Sequence, residues 1–409
     1  MNIVKMKIGD LNPAPYNPRI ALEPGMPEYE KLKNSIEEFG FVETPVFNEF
    51  TGYIVGGHQR ITVAKALGYK EIEVSIVNIS DPVKEKALNI ALNKVDGLWD
   101  DDKLAELLKE LDQDASLLTG FDDKEITGLI EAFDYRLDTE IEIQDDDFDV
   151  EQALEEINEP VSKLGDIWQL GPHKLMCGDS TNQTEVAKLF DGVKARMIFT
   201  DPPYLMGFEG NVSGDGSRSF NSKYESIKND KMTRAEGDQF IFNALSIMKA
   251  FCDGAYYISF YRLGIDYVFR ALDKLNLEYK SLIIWDKGNH TLSGSDYMSK
   301  YEPIIYGWFK DHNFYGDRKN FDIWEITRTP KNELHPTMKP LDLMRKAIIN
   351  SSKHGDVIAD FFGGSGSTLI SADQLGRNCY MIELDPRYCD VIIKRYESAT
   401  GIKPALLTK

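Results

Sequence analysis

Between Val357 and Glu383 the chain reads VIADFFGGSGSTLISADQLGRNCYMIE. The apolar run Val357–Phe361 has the length of a buried strand. The turn Gly363-Gly364-Ser365-Gly366 breaks it. Ser367–Leu375 then carries apolar residues at helical spacing, Gly376 stops that helix, and Asn378–Ile382 forms a second apolar run ending in Glu383. Strand, glycine turn, helix and strand make a βαβ unit, and the alternation of strands and helices over residues 161–409 extends it to an α/β domain with a largely parallel sheet. The glycines let a ligand approach the backbone. Glu383, seventeen residues beyond the last of them, can grip the two hydroxyls of a ribose. NAD and S-adenosylmethionine both fit that description. The turn, GGSGST, does not match the dinucleotide pattern GxGxxG. The plainer alternative is a tight strand-to-helix turn followed by a surface Glu.

A chain of 409 residues, 42 % hydrophobic and 28 % charged, suggests two or three globular domains. No apolar run approaches a membrane span, so no membrane partner is expected. The N-terminus MNIVKMKIGDL lacks the basic and apolar regions of a signal peptide, which favours the cytoplasm. Cys177, Cys252, Cys379 and Cys389 form no CxxC pair and read as reduced thiols. The six histidines form no HExxH, so no metal site is expected. The net charge of −20 argues against nucleic acid as a partner, but it is uneven: residues 137–160 hold eleven acidic residues and no Lys or Arg. Such a run reads as a solvated, flexible linker. It follows residues 1–80, of mixed strands and helices, and a helical extension over 81–136.

A second apolar run, Met197-Ile198-Phe199, ends in Asp201-Pro202-Pro203-Tyr204. Two prolines stop both helix and ladder, leaving a rigid turn that presents a carboxylate and an aromatic ring. A tight turn is the bland explanation. Other motifs lie in the same half of the chain: GDST at Gly178–Thr181, HPTMKP at His335–Pro340, DFFGGSGST at Asp360–Thr368 and IELDPRY at Ile382–Tyr388. Taken with DPPY, residues 161–409 resemble the amino-methyltransferases of DNA, specifically the circularly permuted (beta) group in which the catalytic motif precedes the cofactor motif. The glycine motif departs from that family's D-P-F-x-G-S-G-T-T at Phe361 and Ser367. The resemblance implies a Rossmann-like, S-adenosylmethionine-dependent fold, with DPPY usually serving N6 of adenine and SPPY N4 of cytosine.

The chemistry suits these residues. An exocyclic amine is a poor nucleophile because its lone pair is delocalised into the ring. The Asp201 carboxylate and the Pro202 carbonyl, held rigid by Pro203, can accept its two N–H bonds and favour the pyramidal amine, while Tyr204 offers a stacking face. The base must leave the duplex to reach them. On the cofactor side, Gly364 and Gly366 admit the methionine portion, Asp360 can bind its amino group and Glu383 its ribose. By resemblance, Asp179 serves the adenine, Thr337 and Lys339 reach the carboxylate, and Phe362, Ser365 and Thr368 complete the set. A capped helix start is the alternative for HPTMKP.

Double-stranded DNA is the implied partner. Arg218, Lys223, Lys228, Lys231 and Arg234, on the loop after the catalytic strand, are the candidate phosphate contacts, with residues 285–335 as a second candidate for target recognition. A second copy of the chain is a further candidate partner. Residues 1–80 resemble the ParB-like N-terminal fold through LNPAPYNPR, LKNSIEEFGFVETPV and IVGGHQRITVAKALG. That implies a phosphate or nucleotide site at Gly56, Gly57, His58 and Arg60, where glycines open a helix, together with Arg19. Pairing of Arg60 with an acid and local packing of His58 is the alternative there. Three functions stay open on sequence: an adenine N6-methyltransferase, an N4-cytosine enzyme, and a nucleotide-gated DNA-binding protein that uses the fold as a platform.

Overall fold

The computed structural model describes residues 2–94, 99–205, 232–291, 296–317, 319–327 and 338–407. The chain divides into two compact units, Met1–Arg136 and Leu137–Lys409. The first holds β1 (Asn2–Lys7), β2 (Asn12–Pro13), α1 (Pro27–Phe39), β3 (Val46–Asn48), β4 (Tyr53–Gly56), α2 (His58–Ala66), β5 (Glu71–Val77), α3 (Pro82–Asn93), α4 (Asp101–Lys109) and α5 (Gln113–Leu118), and α6 (Asp123–Glu140) runs on into the second. Its five strands form one mixed sheet in the order β1-β5-β3-β4-β2. Phe47, Ile54, Ile61, Ile72 and Val74 fill its core, and Ile90, Leu104, Leu107 and Leu108 pack the helical part.

The second unit holds α7 (Val150–Glu156), β6 (Ile167–Leu170), β7 (His173–Cys177), α8 (Gln183–Phe190), β8 (Ala195–Thr200), α9 (Arg234–Phe251), β9 (Cys252–Ser259), α10 (Ile265–Lys274), β10 (Tyr279–Thr291), β11 (Ser299–Trp308), β12 (Ile323–Glu325), α11 (Leu341–Ser351), β13 (Val357–Asp360), α12 (Ser367–Gln374), β14 (Asn378–Glu383), α13 (Pro386–Thr400) and β15 (Ala405–Leu406). Ten strands form one sheet in the order β12-β10-β11-β9-β8-β13-β14-β7-β6-β15. The middle five, β9-β8-β13-β14-β7, are parallel. Helices cover them, so Met197, Ile198 and Phe199 of β8 are all buried, which is why that strand reads as a continuous apolar run. From β8 the chain proceeds outward to β9, whereas from β13 it proceeds the other way to β14. The strand order therefore reverses between β8 and β13, the place where open α/β sheets bind ligands.

The acidic stretch is not a free linker. Asp138, with a side chain 3 % exposed, meets the buried Arg377 guanidinium at 2.6 and 3.0 Å. Arg345 donates to the carbonyls of Asp138, Thr139 and Ile141, and Gln144 exchanges two hydrogen bonds with Gln374. Asp146 pairs with Arg395. α7 then buries Val150 and Ala153 against Val391 and Met338. Two carboxylates of the acidic stretch, Asp138 and Asp146, are thus neutralised by arginines more than two hundred residues downstream, a pairing invisible to a local reading of charge. No described helix is long and apolar enough to cross a membrane.

Candidate active site

Adjacent strands bring the two principal motifs together. β8 ends at Thr200 and β13 at Asp360. The Thr200 hydroxyl donates to Asp360 Oδ1 at 2.9 Å and accepts the Phe361 N–H at 3.2 Å, so DPPY and the glycine turn leave the sheet side by side. Thr368 donates to Asp360 Oδ2 at 2.7 Å and the Phe362 N–H to Oδ1 at 3.1 Å. Burial pushes the Asp360 carboxyl up to about 7 against these donors. Three internal donors thus engage the carboxyl expected at a ligand amino group, and Asp360 braces the turn.

The glycine turn has the shape of a cradle. Gly364 (φ +52°) and Gly366 (φ +84°) lie in the left-handed region. A Cβ on Gly364 would enter open space, whereas one on Gly366 would press on Ile392 at 3.2 Å. Glu383, at the end of β14, accepts the Gly364 N–H and the Asp385 N–H, each at 2.8 Å, and burial pushes it up to about 7. The next strand contributes Asp179, whose carboxylate accepts the Thr181 N–H and hydroxyl, while the Gly178 N–H donates to the Glu383 carbonyl. Phe362 packs on Phe240, and Ser365 lies in the turn itself. Asp179, Asp360, Phe362, Gly364, Ser365, Gly366, Thr368 and Glu383 therefore share the ends of three neighbouring strands.

Lys339 joins the DPPY turn to β11. Its buried ammonium reaches Asp201 Oδ2 at 2.7 Å and Glu302 Oε1 at 2.6 Å. Its backbone carbonyl accepts the Ser367 hydroxyl at 3.2 Å, tying it to the glycine motif. Glu302, on β11, also accepts the Tyr204 hydroxyl at 3.0 Å and the Ser259 hydroxyl at 2.6 Å, and Lys287 of β10 meets its other oxygen at 2.7 Å. Trp285 lies beneath both lysines. Burial disfavours charge throughout this group. It raises Asp201 above the usual carboxylate range, with Lys339 opposing. It also works against Glu302 and Lys339, but there the opposite charges win: the two lysines hold Glu302 well below its ordinary value and the two carboxylates hold Lys339 above its own. Sequence reading missed Glu302 and Lys287; a lone acid beside the buried run Pro303–Ile305 was the available signal.

Asp201 Oδ2 is therefore occupied. Oδ1 is shielded from solvent and has no hydrogen-bond partner among the described residues. A buried acceptor left unpaired costs free energy unless something else fills it. Tyr204 stacks on Tyr261 with centroids 5.8 Å apart, and the residue after it, Leu205, has φ +61°, an uncommon backbone state for a bulky side chain. In the described part of residues 285–335, β10, β11 and β12 extend the central sheet, and Trp285, Lys287 and Glu302 floor the site.

Arg218, Lys223, Lys228, Lys231 and Thr337 lie outside the described residues. Arg234 opens α9, pairs with Asp266 and stacks on Tyr267, its side chain 67 % exposed. In the first unit, Gly56 ends β4 and Gly57 (φ +82°) caps α2. His58 Nε2 accepts the Ala14 N–H at 3.2 Å, and burial lowers its pKa to about 4. Arg60 pairs with Glu43, and the buried Arg19 donates to the Asn93 carbonyl and lies over Trp99. The three side chains expected to donate to phosphate each have an internal partner.

Residues 195–395 match the DNA methylase family, and residues 1–94 match the ParB N-terminal domain. A segment similar to DNA methylases thus follows one similar to the ParB N-terminal domain. A type II methyltransferase of Moraxella bovis, M2.MboI, is 28 % identical over 231 residues, 50 % of this chain and 82 % of its own. Another, M2.DpnII of Streptococcus pneumoniae, is 29 % identical over 223 residues, 49 % of this chain and 82 % of its own. Among solved structures, the M1.HpyAVI–SAM complex aligns with 54 % of this chain and 98 % of its own at 21 % identity and a TM-score of 0.39. The matched residues 195–395 carry β8 to β14 of the ten-stranded sheet, the DPPY turn and the glycine cradle; the matched residues 1–94 carry the five-stranded sheet.

Proposed function

We propose that the methylase region transfers a methyl group from S-adenosylmethionine to an exocyclic amine of a base in double-stranded DNA, and that the acceptor is N6 of adenine. The observation that carries this reading is Asp201 Oδ1, a shielded acceptor with no described partner, fixed beside the glycine cradle by the Lys339 contact to its other oxygen. S-adenosylmethionine, when bound, supplies a methyl group on a positively charged sulfur. Gly364, open on its ligand side, fits the methionine portion, and Glu383, at a strand end, fits the ribose. Asp201 holds one amine N–H and the Pro202 carbonyl the other. With the cofactor bound, the nitrogen lone pair would form the new N–C bond as the C–S bond breaks, sulfur keeping that electron pair, and the extra proton of the product nitrogen would pass to the Asp201 carboxylate that holds its N–H. Preorganised acceptors of this kind favour the charge that develops in the transition state. The target base must be flipped out to reach them.

The experiment uses the full chain with S-adenosylmethionine labelled in its methyl group and duplexes whose only exocyclic amines of one kind lie in adenine or in cytosine. Label on adenine N6 is expected. Label on cytosine N4 alone would replace the acceptor, and no label on either duplex would overturn the reading. For the ParB-like domain we propose DNA or nucleotide contact, supported by the family match alone.

A further inference from the structure

The acidic stretch reaches the cofactor cradle through one side chain. Arg395, on α13, has a side chain 1 % exposed, and its positive charge meets the Asp146 carboxylate, itself 4 % exposed. Arg395 Nη2 lies 3.2 Å from Asp146 Oδ1, while Nη1 donates to the Ser365 carbonyl at 2.8 Å and reaches the Ser367 hydroxyl at 3.4 Å. The Gly366 N–H, on the other side of the same peptide bond, donates to the Gly363 carbonyl at 2.9 Å. The peptide plane between Ser365 and Gly366 is thus held at both ends, and the Gly364 N–H is held by Glu383. α13 also places Ile392 where a Cβ on Gly366 would touch it, so one helix supports the turn by packing and by charge.

A guanidinium this deeply buried persists only with a counter-charge and filled hydrogen bonds. Asp146 is that counter-charge, and it comes from the acidic stretch. Without it, Arg395 would have to recruit water or swing outward, and the Ser365 carbonyl would lose its donor. The strap around Asp146 is itself fastened: α7 packs on α13 through Val150 and Val391, and Arg387 donates to the Leu154 carbonyl at 2.9 Å. We infer that Asp146 and Arg395 are positioning residues for the glycine cradle, and that the acidic stretch carrying Asp146 is a brace of the cofactor site. The inference rests on the reading of that cradle as the S-adenosylmethionine site, and it concerns how the turn is held, not what it binds.

Five variants of the full chain separate positioning from general stability. Asp146→Ala removes the counter-charge. Glu142→Ala removes an exposed charge of the same stretch. Asp138→Asn weakens the strap's other buried anchor, at Arg377, away from the turn. Calorimetry reads S-adenosylmethionine affinity, and hydrogen exchange reads the amides of residues 361–370. Asp146→Ala is expected to weaken the cofactor roughly tenfold, as loss of preorganisation does, and to raise exchange in that peptide. Glu142→Ala should do neither, and Asp138→Asn should lower the melting temperature with affinity within about twofold of the parent. Arg395→Lys should restore part of what Arg395→Ala loses, because an ammonium keeps the charge without the fork. Unchanged affinity and exchange in a folded Asp146→Ala chain would overturn the inference. So would an Asp138→Asn chain that loses cofactor equally, since the effect would then belong to the unit as a whole. If the parent chain binds no S-adenosylmethionine while the exchange contrast persists, the cofactor reading fails and the brace stands.

Discussion

The Lys339 ammonium lies 2.7 Å from Asp201 Oδ2, on the side of that carboxylate away from its unpartnered oxygen. This one ion pair divides the labour within Asp201. One oxygen is locked by a buried cation that Glu302 and Ser259 help to fix, and the other has no hydrogen-bond partner among the described residues. An acceptor held so needs no reorganisation when an amine arrives.

Asp201→Ala should therefore abolish transfer while leaving cofactor binding intact. Loss of one preorganised acceptor typically lowers the rate by on the order of 10²–10³. Asp201 lies on β8's exit turn and the cradle on β13's, so the cofactor contacts proposed here survive the change. A methylation assay beside calorimetry checks both halves, and retained transfer would remove Asp201 from the chemistry.

Glu302→Gln should lower kcat by about tenfold or more and leave S-adenosylmethionine affinity within about twofold, since Glu302 acts on Asp201 and Tyr204 through Lys339 and its own hydrogen bonds. Lys339→Met is harsher. It leaves the Asp201 and Glu302 carboxylates facing each other with Lys287 the one described cation left to offset them, and breaking a buried pair in this way costs about 3–5 kcal/mol. Glu302→Gln also breaks buried pairs, to Lys339 and Lys287, so urea unfolding should find both variants less stable than the parent chain.

What the sequence revealed and concealed follows from the range of the interactions. The βαβ unit at 357–383 and the strand before Asp201 were legible because periodicity, glycine and proline act within a few residues. The parallel core was legible for the same reason. Glu302 and Lys287 were not: they are charged groups on separate sheet strands that pair with each other, and Glu302's further partners arrive from β8's turn and from residue 339. The acidic stretch was misread on the same ground. Its composition is that of a solvated linker, and only Arg345, Arg377 and Arg395, far along the chain, turn it into a packed strap. In the first unit, the partners that Arg19, His58 and Arg60 meet, the Asn93 carbonyl, the Ala14 N–H and Glu43, likewise lie outside the reach of a local reading.

His58 gives that unit a pH signature. Burial lowers its pKa from 6.5 to about 4, so the unfolded chain binds a proton there more readily than the folded one. Stability from this group is full above pH 6.5 and is lost as the pH falls toward 4, at a rate of up to about 1.4 kcal/mol per pH unit. Hydrogen exchange over residues 54–66 of the full chain should quicken on acidification through that window, relative to neutral pH and after correction for intrinsic rates. In His58→Gln the change should be smaller. Equal acid sensitivity in both would assign it to other groups.

Glu383 supplies the opposite test at the cofactor site. Burial raises it to about 7, so near neutrality the free protein holds a mixture of acid and carboxylate. The carboxylate is the better acceptor for two ribose hydroxyls, so a ligand that uses it favours the ionised form and lowers its pKa. Binding should then release a fraction of a proton near pH 7, and affinity should strengthen as the pH rises through that value. Calorimetry in buffers of different ionisation enthalpy measures the proton directly. Asp360 is also raised to about 7, but it is engaged by Thr200, Thr368 and the Phe362 N–H, so Glu383→Gln alone should flatten the profile. The same change should weaken S-adenosylmethionine by roughly 1.5–3 kcal/mol at pH 8, about ten- to a hundredfold. A Glu383→Gln chain that keeps both the parent affinity and the parent pH dependence would place the ribose elsewhere on the strand ends.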